Sequence, residues 1–165
     1  MKTLLIVRHA KSNWNEPDVS DFDRPLNKRG NRDAPFMGKL IMEKAGKPDL
    51  IYSSPAERAI TTARFFALAM DYDSKDISQQ KVIYEHGANA ILRMMGKTPD
   101  NNNLVMVVGH NPDITYLANY LCDGSLDSLP TCSVACIDFD FDKWDMIAEK
   151  PGKLRFFEYP KKYME

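Results

Sequence analysis

The run Leu4-Leu5-Ile6-Val7 passes directly into Arg8-His9. Four consecutive branched apolar residues predict a strand buried on both faces, the kind that sits in the middle of a parallel sheet. The carboxyl ends of such strands are where open α/β sheets bind ligands, so an arginine and a histidine there point to chemistry. A strand end that simply meets solvent would explain Arg8 alone. It fails once other parts of the chain deliver matching groups to the same place.

A second apolar run, Leu104-Val105-Met106-Val107-Val108, echoes the first and ends in Gly109-His110-Asn111-Pro112. Asn111 can cap and Pro112 can open the helix that follows, to about Leu121. Between these strands, Asp49-Leu50-Ile51-Tyr52-Ser53 reads as a short strand. Ser54-Pro55-Ala56-Glu57 then reads as a capping box opening a helix to about Met70, with Arg58 in its first turn. Right-handed crossovers in a parallel sheet bring these three strand ends to one edge.

The remaining segments fit around that frame. Glu16 to Asn27, with Pro17 and Pro25, reads as a loop over the strand ends. Asn27 can cap a helix to about Lys44, in which Pro35 predicts an irregular first turn or a restart, and Gly46-Lys47-Pro48 closes it. Lys81 to Tyr84 is expected to be a third strand, Gly87 to Met95 a short helix, and Ser133 to Phe141 and Leu154 to Tyr159 the last strands. No repeat, low-complexity tract or linker divides the sequence, and 165 residues at 44% hydrophobic suit a single domain over 1–165.

Charge narrows the function classes. With 22 Lys+Arg against 23 Asp+Glu, the chain lacks the basic balance of a general nucleic-acid binder. No window approaches the ~20 apolar residues of a membrane helix, and the start lacks a signal-peptide layout, so no membrane association and a cytoplasmic location are expected. The cysteines, Cys122, Cys132 and Cys136, form no CxxC pair and are expected to be reduced and partly buried.

The converging groups are Arg8, His9, Arg58 and His110, joined by the positive ends of nearby helices. Planar guanidinium forks suit phosphate. A metal site competes, since histidine is a common ligand. However, Arg8 would repel a dication and no carboxylate stands at ligand spacing from either histidine, so neither metal nor other cofactor is expected. A neutral imidazole is a competent phosphoryl acceptor, and neighbouring arginines lower its pKa while steadying transition-state oxygens. His9, directly after the first strand, is the candidate nucleophile, and His110 a phosphate donor.

These motifs carry a resemblance. Arg8-His9-Ala10-Lys11-Ser12-Asn13-Trp14-Asn15 resembles the Arg-His-Gly signature of the histidine phosphatase (phosphoglycerate mutase-like) superfamily. Ser53 to Ala63 resembles its second-arginine motif, and Val108-Gly109-His110-Asn111-Pro112 its second-histidine motif. Asp23-Arg24-Pro25-Leu26, Arg29-Gly30, Arg32 to Pro35 and Leu129-Pro130-Thr131 are similar to SixA-type phosphohistidine phosphatases. The resemblance implies a three-layer α/β fold, a mostly parallel mixed sheet with helices on both faces. It also implies a covalent phosphohistidine at His9, phosphate held by Arg8, Arg58 and His110, and support from Ser12 and Asn15. Phosphoester-cleaving members carry an acid after the third strand, which would here be Glu85.

The short span between Arg58 and His110 leaves little room for a lid, which favours hydrolysis at an open site. A phosphorylated imidazole can carry its own proton as it leaves. The expected activity is therefore hydrolysis of phosphohistidine on a partner protein. The alternatives are a small-phosphoester phosphatase with Glu85 as general acid, and a non-catalytic phosphate-binding adaptor. Arg24, Lys28, Arg29 and Arg32 form a basic cluster, read as a solvated face.

Overall fold

The first strand, β1 (Lys2–Arg8), has Leu4, Leu5, Ile6 and Val7 fully buried, as its unbroken apolar run requires. The computed structural model describes residues 1–164. After β1 come α1 (Lys28–Ala45), β2 (Leu50–Ser53), α2 (Glu57–Ala69), β3 (Ser78–Gln79), α3 (Lys81–Glu85) and α4 (Gly87–Gly96). β4 (Leu104–Gly109), α5 (Asp113–Cys122), β5 (Val134–Phe139) and β6 (Lys153–Glu158) complete the chain. The strands form one six-stranded sheet in the order β3-β2-β4-β1-β5-β6. β3, β2, β4 and β1 are mutually parallel, and β5 runs against both β1 and β6. This is the three-layer, mostly parallel mixed sheet expected from the sequence.

Alternation along β1 divides the core in two, because successive side chains of a strand face opposite sides. Leu4 and Ile6 join Val105 and Val107 beneath Ile83, Ile91, Leu117 and Trp144. Leu5 and Val7 join Met106 and Val108 beneath Met37, Ile41, Ile60 and Phe66. Thus α1 and α2 cover one face, and α3, α4 and α5 the other. Each fully buried side chain of this size stabilises the fold by about 1.5–3 kcal/mol. Among the described residues, no helix is long and apolar enough to cross a membrane.

Local departures from the sequence reading have physical causes. Lys81 to Tyr84 is helical, and the third strand is instead Ser78–Gln79, whose pairing ends where the Gln80 amide donates to the Ser53 carbonyl. Helical turning buries Ile83 and sends the Tyr84 hydroxyl to Asp21. α2 starts at Glu57 rather than Pro55, and no capping box forms. Ser54 still belongs to the sheet edge through its amide bond to Val108, and the Glu57 carboxylate accepts from Thr61. Asn27 caps α1 as expected, accepting from the Gly30 amide. α1 runs unbroken through Pro35, its buried face of Ala34, Met37, Gly38 and Ile41 offsetting the lost amide. Asn111 does not cap α5; its amide donates to Ser128 and to the Leu129 carbonyl.

Candidate active site

Register positions the site. Arg8 pairs with Gly109 across β1 and β4, so His9 and His110 leave adjacent strand ends together, with ring centroids 5.1 Å apart. Both rings are buried. His9 Nδ1 lies 2.8 Å from the Ala10 carbonyl, which can only accept, so Nδ1 carries the proton and Nε2 keeps its lone pair. His110 Nε2 lies 2.7 Å from the Ser54 hydroxyl, and its Nδ1 is buried without a partner.

Burial lowers the His9 pKa to about 3; the Ala10 acceptor opposes this, and the charges of His110, Arg58 and Arg8 add to it. Burial, followed by the Arg58 charge, lowers His110 to about 4. Both imidazoles are therefore neutral at physiological pH.

Arg58, buried in the first turn of α2, reaches over to the loop before α1. It donates to the Asp21 carbonyl at 2.6 Å and to the Asp21 carboxylate at 3.1 Å. That carboxylate also accepts from Arg24 at 2.6 Å and from the Tyr84 hydroxyl at 2.7 Å. Burial alone would raise Asp21, but the bonds from Tyr84, Arg24 and Arg58 bring it down to about 2. The Tyr84 ring stands edge-on to His110 at 5.5 Å. Arg8 donates to the Leu129 carbonyl at 2.8 Å, while its buried Nε has no partner.

The sequence-based candidates thus divide. Arg8, His9, Arg58 and His110 come together. Ser12 is buried and lies 3.4 Å from Arg24 Nε. Asn15 is exposed, its amide donating to Asn13. Glu85 is about half exposed and lies 3.6 Å from His86 at the surface. Sequence reasoning missed Asp21 and Tyr84, and it read Ser54 only as a cap. Nothing in the pattern separates Asp21 from Asp18 or Asp23 in the same loop. Among the described residues, no group of three or more His, Cys, Asp or Glu is placed to hold a metal.

The family description for the histidine phosphatase superfamily (branch 1) matches residues 4–86, the segment carrying Arg8, His9 and Arg58. The chain belongs to the histidine phosphatase superfamily. An uncharacterised protein of Mycobacterium tuberculosis is 31% identical over 113 residues, covering 68% of this chain and 67% of that one. An uncharacterised chloroplastic protein of Arabidopsis thaliana is 29% identical over 157 residues, covering 87% of this chain and 69% of that one. Among solved structures, the crystal structure of a protein provisionally assigned as phosphohistidine phosphatase SixA from Agrobacterium tumefaciens is 27% identical. It superposes with a TM-score of 0.82, covering 96% of this chain and 98% of that one. Superfamily membership and this SixA-like architecture support phosphatase activity.

Proposed function

We propose that this chain is a metal-independent phosphatase that hydrolyses phosphohistidine on a partner protein, with His9 as nucleophile. The observation that carries the reading is the pair of neutral imidazoles, 5.1 Å apart, with Arg58 buried beside them. In the first step the His9 Nε2 lone pair attacks phosphorus and the bond to the partner's imidazole breaks. That imidazole leaves neutral, because its second ring nitrogen already bears a proton. In the second step water attacks phosphorus, the His9 Nε2–P bond breaks, and phosphate departs with the oxygen and protons of water. Arg8 and Arg58 steady the equatorial oxygens. If the Ser54 hydroxyl donates to His110 Nε2, the unpartnered Nδ1 bears a proton and is a ready donor to a phosphoryl oxygen. Ser12 and Asn15 stand in the loop bordering this site.

A protein substrate also suits the surroundings of Glu85. An alkoxide leaving group needs a general acid, and among the described residues the exposed Glu85 carboxylate, 3.6 Å from His86, makes no hydrogen bond to the groups of the imidazole site. Phosphoimidazole does not need one. The likeness to the Agrobacterium structure, provisionally assigned as a phosphohistidine phosphatase, points the same way. Cys122, Cys132 and Cys136 are free and buried, which suits the reducing cytoplasm.

The test is phosphate release from a phosphohistidine-bearing phosphotransfer protein and from a panel of small phosphoesters, all with EDTA. Wild type is expected to hydrolyse the former, and His9→Ala to lose at least about a thousandfold in rate. Turnover confined to phosphoesters would overturn the substrate assignment. Binding without turnover would favour the adaptor reading.

A further inference from the structure

A cavity of about 300 Å³ is lined by Arg8, Lys11, Arg29, Thr131, Tyr159 and Lys161. It adjoins a second cavity of about 220 Å³ that shares Arg29 and Lys161 and adds Arg32. The cations come from separate parts of the fold. Lys11 follows β1, Arg29 opens α1, and Lys161 lies in the single 3₁₀ turn after β6. One helix presenting a solvated face would not gather them.

Asp33, fully buried, takes Arg29 at 3.4 Å and Arg32 at 2.9 Å. Among the described residues, no carboxylate lies within ion-pair distance of Arg8, Lys11 or Lys161. Arg8 stands where this trough and the imidazole site meet, and its buried Nε has no acceptor. A trough of one charge sign attracts and orients the opposite sign.

We infer that this trough receives an acidic segment of the polypeptide that bears the phosphohistidine. The inference rests on the phosphohistidine reading given above. Length favours a polypeptide over a lone small anion. Two adjoining cavities share cations along their common wall, and an extended chain with several carboxylates can engage them in sequence, at ~3.3 Å of rise per residue.

The experiment measures binding, so it does not depend on turnover. A fluorescein-labelled, unphosphorylated peptide with one histidine flanked by glutamates is titrated with the full chain, followed by anisotropy at low and physiological ionic strength. A second peptide carries glutamines instead. Wild type is expected to bind the glutamate peptide about tenfold more tightly than the glutamine peptide, with the difference shrinking as salt rises. Lys11→Gln/Lys161→Gln, checked for an unchanged melting temperature, is expected to lose that preference. Equal affinity for the two peptides, or a preference that survives the double variant, would overturn the inference. So would a wild type that binds neither peptide yet is stabilised against heat by pyrophosphate through Lys161, since the trough would then serve a small second anion. Failure of the phosphohistidine reading shows separately, as absent phosphate release from the phosphorylated glutamate peptide.

Discussion

His9 and His110 bind protons only near pH 3 and 4, burial being the main cause for each. For chemistry, the nucleophile is already deprotonated across the physiological range. kcat/KM is therefore expected not to fall between about pH 6.5 and about 5.5, a range in which an ordinary histidine nucleophile would lose activity by protonation. For folding, the same shifts have a cost on acidification. Between the unfolded value of ~6.5 and the folded values, the unfolded chain binds more protons, so stability is complete above ~6.5 and falls as pH drops towards 4. Melting temperatures across pH 7.5 to 4.5 should fall for wild type, and fall less for His9→Gln/His110→Gln. Asp21, held at about 2, acts in a separate window: its contribution is present above ~4 and is lost below it. Arg8, His9, Arg58 and His110 could be read from sequence because each stands at or just beyond a strand end. Asp21 could not, since its partners are set by how a loop folds back over those ends, and the Ser54 role depends on which strand β2 pairs with.

At the scale of elements, the close approach of α1 to the loop after β1 holds Ser12 in place. A Cβ at Gly30 would press on the Lys11 carbonyl and lie 3.2 Å from the Leu26 side chain. Gly30→Ala is expected to destabilise the protein by about 1–3 kcal/mol in urea denaturation, because the nearest obstruction is backbone. The α3–α4 segment gives the opposite expectation. Glu85 faces solvent beside His86, so Glu85→Gln should leave phosphohistidine hydrolysis within about twofold of wild type, measured as kcat/KM. A large loss would place Glu85 in the chemistry after all. The same segment shows why short apolar runs mislead: Val82, Ile83 and Tyr84 carry no period, and only tertiary contact turns them into a helix. The Ser54 signal misled differently, since its hydroxyl was committed to His110.

Across the whole molecule, the layered architecture was legible because β1 and β4 are apolar on both faces and the helices between them are amphipathic. What stayed hidden was the trough, whose cations come from segments far apart in sequence. The order β2-β4-β1 has a kinetic meaning as well. β4, late in the chain, pairs between two strands from its first third, and the two imidazoles meet only when it is in place. Trp144 is fully buried on the α5 side and reports closure of that core, whereas Trp14 is 68% exposed. After dilution from urea, activity should return no earlier than the Trp144 fluorescence change; activity that led it would mean the sheet closes before its cover. A chain emerging from the ribosome would accordingly carry an inert half-site until its middle strand had paired, so competence for catalysis reports that the first and fourth strands have met.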